Sequence, residues 1–133
     1  MMLNLARVSF HGVTASPTQQ GLTPGDIEGE FPVDRASDYY GYSTTREDFA
    51  MLFEEAMMLY LFDVDRDVGI TNNPESGVPC ADYIVEWGVR NRVTDPLVRA
   101  RAVRVIGDAL PEAQLAVEQH LMGEDPPTPM VAG

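Results

Sequence analysis

The sequence predicts a helix-dominated α+β fold of about four helices with a short N-terminal β-hairpin or strand pair. Three observations carry that prediction. Residues 44–62 place apolar side chains at helical spacing behind a Thr-x-x-Glu start. Residues 94–109 open with Thr94-Asp95-Pro96 and then bring an apolar residue to one face every three or four positions. The first 33 residues show short alternating runs instead, broken by Gly12, Pro17, Gly21, Pro24 and Gly25. The length, 133 residues, is that of one domain.

Taken in order, Leu3, Leu5, Val8 and Phe10 suggest a strand over 3–10. Ile27, Gly29, Phe31 and Val33 suggest a second over 26–33, with Pro32 confining it to an edge. Helix 44–62 then starts at Thr44 as N-cap, with Glu47 closing a capping box and Asp48 facing the positive end of the macrodipole. Phe49, Leu52, Phe53, Ala56, Leu59 and Tyr60 share one side of it, widened by Ala50, Met57 and Leu61. Met51, Met58 and Phe62 form a second, narrow stripe, fenced by Glu47 and Glu54 on one edge and by Asp48 and Glu55 on the other. Residues 63–79 read as a loop. A helix is expected over 80–93, with Tyr83, Ile84, Trp87 and Gly88 inward. Another is expected over 96–109, with Val98, Ala102, Val105, Ile106 and Ala109 on one stripe. A last helix spans 111–122, with Gly123 ending it. Residues 1–123 therefore read as a single acidic globular domain, and 124–133 (EDPPTPMVAG) as a flexible Pro-rich tail. The expected core is Phe49, Phe53, Ala56, Tyr60, Ile84, Trp87, Val98, Ala102, Val105 and Ile106.

Composition removes several function classes. No run of about 20 apolar residues is present to cross a membrane, and MMLNLARVSF lacks the apolar segment of a signal peptide. The lone Cys80 cannot form an internal disulfide, fits a reducing cytoplasm and reads as a buried thiol. Nine arginines stand against 21 acids, giving a net charge of −12, and there is no lysine. Such a field repels a nucleic-acid backbone and an anionic membrane surface. Without lysine, P-loop and Schiff-base chemistry are excluded. The charge is also segregated. Between 44 and 75, Arg46 and Arg66 face Glu47, Asp48, Glu54, Glu55, Asp63, Asp65, Asp67 and Glu75. Between 88 and 107, Arg90, Arg92, Arg99, Arg101 and Arg104 face Asp95 alone. Either the two regions lie together and neutralise each other, or the basic one faces an acidic partner or a second copy of the chain.

Two segments resemble metal sites. Asp63, Asp65 and Asp67, with Gly69 and Ile70, resemble the calcium loop of EF-hands. Val68 stands where that loop requires glycine, and Pro74 where it requires the bidentate glutamate. The run from Tyr39 to Ala50, with Glu47-Asp48-Phe49-Ala50 behind a Ser/Thr cap, resembles the third-ligand helix of zincin-type metallopeptidases. That resemblance implies Glu47 as a zinc ligand. The H-E-x-x-H pair of ligands and general base is absent, since His11 and His120 are the only histidines. A capping role accounts for Glu47 without zinc. No Ser sits in a Gly-x-Ser-x-Gly elbow.

The expectation is thus a non-catalytic interaction module with no catalytic residue, no cofactor and no bound metal, Glu47, Asp63, Asp65 and Asp67 being the candidate metal positions. It is expected to self-associate as a cytoplasmic homodimer through the Met51, Met58 and Phe62 strip, with Arg90, Arg92, Arg99, Arg101 or Arg104 of one copy meeting the acidic edges of that strip on the other. The alternatives are a remnant of a zinc metallopeptidase-like domain, and an acidic protein that mimics nucleic acid on the surface of a basic protein partner.

Overall fold

The computed structural model describes residues 1–30, 33, 35–72 and 77–130. Among them the chain is helix-dominated, with one small antiparallel sheet. The α-helices are α1 Met2–His11, α2 Pro17–Gln20, α3 Pro24–Glu28, α4 Thr45–Phe62, α5 Pro96–Ala109 and α6 Gln114–Gly123. The strands are β1 Asp67–Thr71, β2 Val85–Arg90 and β3 Thr128–Pro129, in the order β1-β2-β3. Tyr40–Tyr42, Cys80–Asp82, Arg92–Thr94 and Pro111–Ala113 form single 3-10 turns. No helix among the described residues is long and apolar enough to cross a membrane.

The two best-signalled helices form where the sequence places them. The Thr44 hydroxyl accepts the Glu47 N–H at 3.2 Å and starts α4. The Asp95 carboxylate accepts the Leu97 and Val98 N–H groups, with Pro96 in the first turn, and starts α5. The main core lies between these helices, α6 and the Arg92–Thr94 turn. It is built from Leu52, Ala56 and Leu59, from Val98, Ala102, Val103 and Ile106, from Val117 and Leu121, and from Val93. A second, smaller cluster around Met2 and Val68 joins α1, α3 and the sheet, with Leu5, Ile27, Tyr39 and Trp87 against it.

The N-terminal hairpin is not formed. Residues 2–11 are helix α1, which buries Met2 and Ala6 four positions apart and leaves Leu3 and Phe10 exposed. The alternation of Leu3, Leu5, Val8 and Phe10 therefore marks no strand face. Gly12, with φ 67°, ends this helix in the left-handed region that glycine enters without strain. Residues 26–28 instead complete α3, whose start is fixed by Asp26: its carboxylate accepts from the Thr23 N–H at 2.8 Å and the Thr23 hydroxyl at 2.7 Å. Phe31 and Pro32 lie outside the described residues.

The helix expected over 80–93 is also replaced, by a 3-10 turn and then β2. Val85, Trp87 and Val89 alternate with Glu86, Gly88 and Arg90, a period of two in residues that favour strands. β2 pairs antiparallel with β1, Val68 opposite Val89 and Ile70 opposite Trp87, so part of the expected loop 63–79 is strand. Pro74, the departure in the calcium-like loop, lies outside the described residues. Gly88 is needed where it stands, since a Cβ there would come within 3.0 Å of both the Met130 sulfur and the Val68 carbonyl. The Pro-rich segment after α6 runs back over the sheet as β3. Met130 donates its N–H to the Gly88 carbonyl, and Thr94 holds the Asp125 carbonyl at 3.0 Å. Residues 131–133 lie outside the described residues.

Within the expected core, Ala56, Val98, Ala102 and Ile106 are fully buried, while Phe53, Tyr60 and Val105 pack half-buried against its edge. Phe49 and Ile84 are not core, being 39% and 50% exposed. Trp87 belongs to the second cluster. Cys80 is exposed in its 3-10 turn, not a buried thiol.

Candidate interaction surface

Helix α4 has three different sides. Its inward side carries Leu52, Ala56 and Leu59 into the core, and Glu55 with them at only 2% exposed. The sequence expectation put Glu55 on an acidic rail in solvent. Position 55 is three residues from Leu52 and four from Leu59, so helical periodicity places it on the buried face. One carboxylate oxygen, Oε1, accepts the Val93 N–H at 3.0 Å. Burial pushes this acid up to about 7, against the opposing pull of the Val93 hydrogen bond and the charge of Arg66.

A flank of α4 is covered by Arg66, from the connection to β1. Its guanidinium holds Asp38 at 2.5 Å and Glu54 at 3.5 Å, and Nη2 lies 3.4 Å from the Met51 sulfur. Met51, expected on the exposed stripe, is therefore half-buried under an arginine. Arg66 is fixed in turn by Asn91, whose side chain accepts the Arg66 N–H at 3.0 Å and whose own N–H reaches the Arg66 carbonyl at 2.8 Å. Asn91 takes a left-handed backbone, φ 52°, which Asn tolerates better than most residues.

The C-terminal end of α4 is different. Asp63 enters the left-handed region at φ 54° and its N–H bonds the Leu59 carbonyl, while the Val64 N–H reaches Met58 at 3.4 Å. Beside this cap Met58, Leu61 and Phe62 are 36%, 55% and 65% exposed. Positions 58, 61 and 62 are helical neighbours, so the three form one apolar patch. Val64, also exposed, adjoins it. Of the expected stripe, Met58 and Phe62 belong to this patch and Met51 does not. Leu61, read with the core side, belongs to it.

The two oppositely charged regions lie together. Arg101 of α5 holds Asp48 of α4 and the Arg35 carbonyl. Arg90 grips Asp67 through both carboxylate oxygens at 2.7 and 2.8 Å and lies 3.5 Å from Asp65. The Arg90 guanidinium holds the Asp67 carboxyl below the usual carboxylate range. Arg101 is thus committed within its own chain, which removes it from the arginines expected to serve a partner. Arg99 points its Nη1 to the Leu121 carbonyl at 3.5 Å. Arg104 is exposed, with no ion pair among the described residues. It borders a groove of about 260 Å³ that is floored by Phe49, Leu52 and Val105.

The metal candidates are dispersed. Glu47 sits in the first turn of α4, Asp63 caps that helix, and Asp65 and Asp67 turn to Asn91 and Arg90. Among the described residues no three His, Cys, Asp or Glu side chains come together as a metal site. His11 Nε2 lies 2.6 Å from the Ser43 carbonyl, in a cleft of about 630 Å³ that Arg7, Thr44 and Asp48 also line. His120 lies 3.5 Å from Glu124 with its ring edge-on to Tyr60. His11 thus meets a backbone carbonyl, whereas His120 Nε2 is buried beside Glu124 without a hydrogen bond.

Comparison with known proteins finds no matching family model, no matching curated protein and no matching solved structure.

Proposed function

We propose that this chain is a non-catalytic interaction module that associates with a second copy of itself through the C-terminal end of α4. The observation that carries the proposal is the side-by-side exposure of Met58, Leu61 and Phe62. Leaving such side chains in water forgoes about 2 kcal/mol each, and contiguous exposed apolar groups mark contact sites. Met58 suits a contact, because an unbranched thioether chain adapts to its neighbour.

Charge supports a second copy as the occupant. Glu54, Asp63 and Asp65 surround the patch in sequence and are exposed. An identical patch would repel it. The groove of Phe49, Leu52 and Val105 offers instead an apolar floor, rimmed by the Asp48–Arg101 pair and by Arg104 and Asp108. Apolar patch and apolar groove match in character, Arg104 is the rim cation free to meet the acids beside the patch, and one chain carries both. The exposed lone thiol of Cys80 supports placing this activity in the reducing cytoplasm, where it does not cross-link.

Sedimentation velocity at tens of micromolar tests the proposal. The expected result is a dimer at low salt that weakens at high salt, and monomer for Met58→Asp and for Arg104→Glu. A wild-type chain that stays monomeric at both salt concentrations overturns it.

A further inference from the structure

The least ordinary group in the molecule is Glu55, an acid 2% exposed in the main core. A buried carboxylate normally has an ion pair, or hydrogen bonds on both oxygens. Glu55 has neither. Its Oε1 accepts from the Val93 N–H, and its Oε2 has no hydrogen-bond partner. Arg66, close enough to be felt, spends its guanidinium on Asp38 and Glu54 instead. Ser37, itself 1% exposed, neighbours the acid closely enough for its hydroxyl to favour the ionised form, although the two make no well-aligned hydrogen bond. Two unsatisfied buried oxygens side by side are costly as they stand. A proton on Oε2 removes the buried charge and gives the acid a donor for the Ser37 oxygen.

We propose that Glu55 is a proton-held latch: its carboxyl keeps a proton on Oε2, next to the Ser37 hydroxyl, and loss of that proton loosens the junction of α4 with the Ser37–Asp38 segment and the Arg92–Thr94 turn. The proton leaves to solvent, and a carboxylate remains with one hydrogen bond in an apolar setting. The charged groups around it come from every side. Asp38 opposes the ionised form, and Arg66 favours it. Arg92 is buried next to Val93 in the turn. On α4 itself the neighbours are Glu54, paired with Arg66, and Asp48, paired with Arg101 of α5. α6 contributes His120, against Tyr60. Otherwise α5 and α6 present Val98, Ala102, Ile106, Val117 and Leu121, which cannot solvate a charge. The raised affinity for the proton follows from this burial and puts the release near neutrality, at about 7. The latch does not rest on self-association, since the apolar patch lies at the C-terminal end of α4, beyond Glu55 and the groups around it.

The direct test is the wild-type protein labelled with ¹³C at the glutamate side-chain carboxyls, titrated by NMR. One resonance is expected to titrate with a midpoint above about 6, clear of the reference glutamate value of about 4.3. The Val93 amide should lose hydrogen-exchange protection roughly tenfold or more across the same window, after correction for intrinsic exchange. Glu55→Gln, which carries a permanent donor in place of the proton, should lack that resonance and keep Val93 protected at pH 8. All glutamate carboxyls titrating below about 5, or Val93 protection that does not change with pH in the wild type, would overturn the latch. The wild-type titration decides even if Glu55→Gln does not fold.

Discussion

Leu59 and Phe62 lie three residues apart on α4, and the structure assigns them opposite roles. Leu59 is 1% exposed and packs with Leu52, Ala56 and the side chains of α5 and α6. Truncation to Ala removes three buried carbons from a site enclosed by helices on several sides, where the surroundings collapse poorly. The cost for such a Leu→Ala change is about 3–4 kcal/mol, within the range that combines lost transfer energy with the residual cavity. For a chain of this length the entropy of unfolding is on the order of 280 cal/mol/K, so the midpoint should fall by roughly 11–14 °C. Phe62, 65% exposed, has little to lose in a monomer, so Phe62→Ser should stay within about 0.5 kcal/mol. The measurement is urea unfolding followed by circular dichroism at 222 nm, at a concentration where sedimentation finds monomer, with both variants compared at constant m-value. A cost under 1 kcal/mol for Leu59→Ala, or one above 2 kcal/mol for Phe62→Ser, refutes the orientation of α4 and with it the patch.

Three further outcomes are expected. Thr44→Ala should cost about 1 kcal/mol, because the Glu47 N–H loses its cap; Thr44→Asn should restore most of it in the same unfolding assay. Gly88→Ala should cost about 1–3 kcal/mol, because the new methyl meets the Val68 carbonyl and the Met130 segment; increased proteolysis after residue 123 would report the displaced strand. Glu55 should make stability depend on pH with a definite sign. Its affinity for the proton is higher folded, at about 7, than unfolded, at 4.5. Its contribution is therefore full below pH 4.5, declines as the pH rises to about 7, and is flat above. The difference in unfolding free energy between wild type and Glu55→Gln should change by about 3 kcal/mol over that window, and a difference independent of pH excludes the assignment.

Local signals made the two long helices legible before any coordinates. The Thr44 cap and the Asp95-Pro96 restart act on backbone groups two or three residues away, so sequence alone contains both partners. The stripe Val98, Ala102 and Ile106 works for the same reason, since its period belongs to one helix. The N-terminal helices had their signals too. Thr23-Pro24-Gly25-Asp26 is a complete helix start, and Gly12 a helix end. In α2 and α3, prolines and glycines close together hid the start among loop residues, and four or five residues show too little periodicity to announce a helix, while in α1 the spacing of Leu3, Leu5, Val8 and Phe10 imitated a strand.

β2 and the Glu55 environment could be fixed only by tertiary structure. Val85, Trp87 and Val89 become a strand because β1 supplies one edge and the Pro-rich segment the other, from 14 and more residues away. Thr128 and Pro129 join that sheet by pairing with Arg90 and Val89, a contact that no window of sequence around them contains. The acidic and basic regions neutralise each other because α4 and α5 pack together, which leaves Arg104 exposed and without an ion pair among the described residues. For Glu55 the sequence determined the residue and its place in the helical period. Whether that position faced water or the Val93 N–H depended on which side of α4 the other helices cover. Periodicity fixes the angles between side chains on one helix, and only the packed neighbours fix which angle points inward.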